Sequence, residues 1–120
     1  MKQNPLLDKS FSFAVRVVKA CQYLAKTKKE RTLSRQLLRS GTSIGANVEE
    51  AIGGQSGADF SAKLAIAYKE ARETSYWVRL LRETGYLSEA EAESLLRDVD
   101  ELLRIIGSIQ VTMKEKRNQQ

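Results

Sequence analysis

Apolar residues recur at offsets of three and four along four successive stretches of this chain, and nowhere do they alternate. That period marks one face of a helix and leaves no strand to propose. The first stretch, about 6–25, aligns Leu7, Phe11, Ala14, Val18, Cys21 and Ala25. The second, about 31–53, aligns Leu33, Leu37, Ile44, Val48 and Ile52, with Gly41 filling the gap. A third, about 57–84, aligns Phe60, Leu64, Ala67, Ala71, Thr74, Val78 and Leu81. The fourth, about 89–115, presents Leu95, Val99, Leu102, Ile106, Ile109 and Met113 before a polar end, KEKRNQQ, that is expected to fray.

The punctuation agrees with this division. Basic, apolar-poor residues 26–30 end the first helix, and GGQSG separates the second from the third. Ser56 with Asp59 resembles a capping box, and Ser88 with Glu91 is a standard one. Gly85 is suited to a left-handed C-cap. Short connections make successive helices antiparallel neighbours, so the expected architecture is all-α: one domain, 1–120, folded as an up-down-up-down four-helix bundle.

Residues 39–55, RSGTSIGANVEEAIGGQ, look at first like a phosphate-binding loop. No Gly-Lys-Ser/Thr ending follows and no strand precedes, so a P-loop is excluded. Gly41 and Gly45 lie one turn apart, each costing about 1 kcal/mol against alanine in a helix interior. A helix accepts that cost where another backbone comes close, so Gly41, Gly45 and Asn47 are read as helix-packing residues. Asn47 is expected to bond across to another helix or a loop.

The chain has no histidine, which removes Ser-His-Asp and Cys-His catalysis and the Glu-x-x-His sites of di-iron bundles. The single cysteine, Cys21, falls on an apolar seam and is read as a buried, inert thiol. Glu49, Glu50, Glu70 and Glu73 faintly resemble the Mg²⁺-binding acids of all-α nucleotide pyrophosphatases. Gly53 stands where that pattern has a further acid, and ordinary ion pairs explain these carboxylates more simply. A metal-dependent nucleotide hydrolase is therefore the alternative reading; the main one is non-enzymatic, with no cofactor and no metal.

Twenty Lys and Arg against 15 Asp and Glu give a net charge of +5, which favours polyanionic partners. Lys28, Lys29, Arg31, Arg35 and Arg39 cluster near the second helix, and the three arginines, four apart, share a face. Such a ladder suits the phosphate backbone of RNA or DNA, read without sequence preference. Only Tyr23 stands near it as an aromatic, so stacking on single-stranded bases is not predicted. No apolar run approaches the ~20 residues of a membrane span, and the N-terminus lacks a signal-peptide pattern; a cytoplasmic protein is expected. Apolar residues beyond one seam, among them Phe13, Val17, Ile66 and Leu103, point to burial against other copies.

LSRQLLRSGTSIGANVEEA, followed by GQSGADFSAKLAIAYKEARETSYWVRLLRETGYL, resembles the bacterial four-helix-bundle proteins encoded in intervening sequences of large-subunit rRNA genes. The likeness rests on Gln36-Leu37, Arg39-Ser40, Ser43-Ile44, Ala46-Asn47 and Glu49, then Ser56, Asp59-Phe60, Ile66-Ala67 and Gly85-Tyr86-Leu87, and it spans Phe11 to Ile109. It implies a closed bundle that assembles as a homopentamer and carries no enzymatic activity. The accessory protein of diversity-generating retroelements is similar in fold, pentameric and basic, and binds nucleic acid and a reverse transcriptase. By that likeness Arg31, Arg35 and Arg39 contribute to a basic surface on the oligomer, with RNA, DNA or another protein as partner. A ring that binds only protein is the third reading.

Overall fold

A computed structural model describes residues 4–119. It is all-α among those residues, with four helices packed as a bundle: α1 (Pro5–Lys26), α2 (Thr32–Ile52), α3 (Gly57–Glu83) and α4 (Glu89–Asn118). Pro5 opens α1 at a position where its missing N–H is no loss, and the Asn4 side chain accepts from the Leu6 and Leu7 amides. Ser56 caps α3 through the Asp59 amide, and Ser88 and Glu91 form a reciprocal capping box on α4. Gly85 ends α3 at φ +83°, while the Tyr86 and Leu87 amides fold back to the Leu81 carbonyl. The last helix does not fray after Met113. Lys, Glu and Arg are good helix formers and no breaker intervenes, so α4 continues to Asn118.

One core runs through the bundle, built on Phe13, Leu37, Ile44, Val78, Leu81 and Ile106 among its fully buried side chains. Cross-helix pairs mark the register. Arg39 meets Glu70 and Glu73, Glu50 meets Lys63, and Lys9 meets Glu101. Inside, the Thr74 hydroxyl lies 2.9 Å from that of Ser40. The contact between α1 and α4 is the thinnest of the four.

The inward face of α1 is not the one its spacing suggests. Leu6, Ser10, Phe13, Val17, Cys21 and Leu24 point into the core, so the helix is turned by about one residue, roughly 100°. Phe11 is left 67% exposed and Val18 38%. Steric fit to α2 decides between the two stripes: Val17 sits over Gly41 and the Ser10 backbone over Gly45. Two further expectations change. Ile52, at the last turn of α2, is 45% exposed. Asn47 does not bond across; its amide nitrogen donates to the Ser43 carbonyl and lies 3.0 Å from the Ser43 hydroxyl, both within α2.

Candidate nucleic-acid interface

The turn between α1 and α2 is compact because a glutamate organises it. Glu30 is buried, and its carboxylate accepts from the amides of Thr32, Leu33 and Ser34 at 2.8–3.1 Å. It thereby satisfies three of the donors that a helix start leaves open and opposes the positive end of the helix dipole. Burial disfavours the charged form, but these backbone bonds and the Ser34 side chain outweigh it and hold the carboxyl below its ordinary value. Lys29, just before, adopts φ +58°, a left-handed conformation uncommon for a residue with a side chain. Nothing in the periodicity marks Glu30; its only sequence signal is an acid placed two residues before the helix.

This geometry brings Lys28, Lys29, Arg31 and Arg35 to the surface, all exposed at one end of the bundle. Arg31 and Arg35 have no carboxylate within ion-pairing distance among the described residues. They edge a shallow groove of about 360 Å³ between α1 and α2, floored by Val18, Ala25 and Leu38. Arg39 belongs to a different environment. Its guanidinium donates to Glu70 at 3.1 Å and to Glu73, and to the Gln36 side chain; Glu73 also accepts from the Trp77 indole at 3.1 Å. The ladder of three is thus two free cations and one neutralised by α3. Lys114, Lys116 and Arg117 are exposed along the last turns of α4.

Chemistry of other kinds finds little support in the geometry. Cys21 lies 3.2 Å from the Ser34 carbonyl, and burial, with the Glu30 charge nearby, pushes its thiol up to about 11. A thiol so protonated is a poor nucleophile. Glu50 pairs with Lys63, while Glu70 and Glu73 hold Arg39, so three of the four candidate metal-binding acids are already engaged. No group of three His, Cys, Asp or Glu side chains that could hold a metal ion occurs among the described residues. Gly41, Gly45 and Asn47 lie on the buried side of α2, away from these groups. No helix among the described residues is long and apolar enough to cross a membrane.

None of the curated proteins matches the chain. Among solved structures, a protein of unknown function from the S23 ribosomal protein family of Bacteroides thetaiotaomicron VPI-5482 is similar, at 48% identity and a TM-score of 0.86. The match covers 88% of this chain and 97% of that one. The family model for the 23S rRNA-intervening sequence protein matches residues 2–108, nearly the whole length. The chain belongs to the 23S rRNA-intervening sequence protein family.

Proposed function

We propose that this protein is a non-enzymatic, self-assembling four-helix bundle that binds RNA or DNA through its phosphates without reading sequence. The observation that carries the reading is the α1–α2 end: Lys28, Lys29, Arg31 and Arg35 are exposed together, and both arginines lack an acidic partner among the described residues. Cations left unpaired in this way can each displace counterions from a nucleic-acid backbone. Arg39 is outside the proposed contact set because Glu70 and Glu73 already neutralise it.

The finer architecture is an up-down-up-down bundle, supported by the pairs Arg39–Glu70, Glu50–Lys63 and Lys9–Glu101. Its assembly is a homopentamer, a stoichiometry that rests on the family resemblance. Phe11 and Val15 give α1 an outward apolar surface that another copy would bury. A ring repeats the basic end, and repeated weak sites raise avidity ~10²-fold or more over one site. A cytoplasmic location fits the single, unpaired cysteine.

The test is binding of a structured RNA across a salt series, with light scattering to report the assembly. Wild type should bind at low salt and release as salt rises. Arg31→Glu with Arg35→Glu should weaken binding and flatten the salt dependence. An assembly indifferent to RNA at every salt concentration would overturn the reading and leave a protein-binding ring.

A further inference from the structure

α1 and α4 make the thinnest of the helix contacts, and a groove of about 490 Å³ opens between them. Its size falls within the ~300–1,000 Å³ typical of small-ligand clefts. Ala20 and Tyr23 form the α1 wall, and Leu87, Ala90 and Leu95 the opposite one. Tyr23 is 37% exposed, so part of its ring surface is open to a ligand. Lys19, one helical turn before Tyr23, also lines the groove and is exposed. Arg16, on the same side, is occupied by Asp98 and the Ser94 hydroxyl. Glu91, which also lines the groove, is held below its ordinary value by the Ser88 backbone amide and side chain that cap α4 with it.

A cleft that sets one tyrosine and apolar side chains between charged rims offers nothing to the bases of a duplex, which are stacked on one another. It suits a base turned out of a single strand, while neighbouring cations take the phosphates. Glu91, on the α4 wall, is held to the Ser88 amide and repels phosphate, so the backbone path runs along the α1 side. We infer that this groove takes an unpaired base of a single-stranded nucleic acid, stacked on Tyr23 with the adjoining phosphate on Lys19. The assignment rests on the nucleic-acid reading above and narrows it to strands with accessible bases.

Fluorescence anisotropy with a labelled single-stranded RNA and with its duplex, at low salt, tests this on the full chain. Tyr23→Ala should weaken single-strand binding by about tenfold, the range expected for losing one stacked base, and leave duplex binding within twofold. Tyr23→Phe keeps the ring and should bind the single strand as wild type does. Lys19→Gln should reduce the single-strand salt slope by about 0.7. Thermal unfolding of each variant establishes that it is folded. Unchanged single-strand affinity in Tyr23→Ala would overturn the groove assignment and leave the basic end standing. Equal losses on single strand and duplex would overturn it too. If Tyr23→Ala disrupts the assembly with strand binding intact, the groove is a protein contact. Wild type that binds neither probe removes the nucleic-acid reading itself.

Discussion

Gly41 and Val17 are in steric register: a methyl group added to Gly41 would lie 2.8 Å from both γ-carbons of Val17. Val17 is fully buried and β-branched, so it has no open space to turn into. Gly41→Ala gains about 1 kcal/mol of helix propensity but should still lose about 1–2 kcal/mol of stability through overpacking. Urea unfolding checks the sign. Val17→Ala made together with Gly41→Ala should be less destabilising than the sum of the singles, because each relieves the other's defect.

Glu30 gives the fold an acid-sensitive joint. Its folded pKa lies below the ordinary value of 4.5. Its contribution is therefore complete above that value and is lost as pH falls through the lower, folded one. Glu30→Gln should cost about 1 kcal/mol at neutral pH, in the range of a lost helix cap. The variant should also lose less stability than wild type on acidification, a difference that thermal melts at descending pH would reveal.

Phe11 and Phe13 should respond in opposite ways. Phe13 is fully buried, so Phe13→Ala should cost about 3–5 kcal/mol. Phe11→Ser should leave the secondary structure intact and instead lower the oligomer mass seen by light scattering, since that ring lies outside the bundle core. A Phe11→Ser protein that fails to fold would contradict the observed rotation of α1.

Lys29 combines backbone strain with a charge assigned to nucleic-acid contact. Lys29→Gly relieves the left-handed conformation and should stabilise the protein by up to about 1 kcal/mol. The same change should reduce the RNA salt slope by nearly one charge. A protein both more stable and weaker at binding separates the two roles within one variant.

Arg39→Met removes the cation shared by Glu70 and Glu73. Arg39 itself is about half exposed and both glutamates are partly so, which screens the pairs, so the loss should be about 1 kcal/mol. RNA binding should be unchanged, in contrast to Arg35→Met, and parallel titrations at low salt compare the two.

Much of the candidate site was legible because charge clusters survive translation into space: Lys28 to Arg35 stay together wherever the turn goes. The neutralisation of Arg39 was not legible, since Glu70 and Glu73 reach it from 31 and 34 residues away. Nor was the groove at Tyr23 legible: one aromatic beside the basic cluster predicts no stacking on bases, and only α4 supplies the opposite wall.

The sequence by itself determined the number and kind of helices, because periodicity, caps and glycine breaks are local and act within a turn or two. It also carried the condition for close approach at Gly41 and Gly45. What only the tertiary structure decided is which face of α1 turns inward. Two apolar stripes compete on that helix with similar hydrophobic gain. The choice falls to the fit of Val17 and Ser10 against α2, a steric condition between residues distant in sequence that no one-dimensional pattern contains.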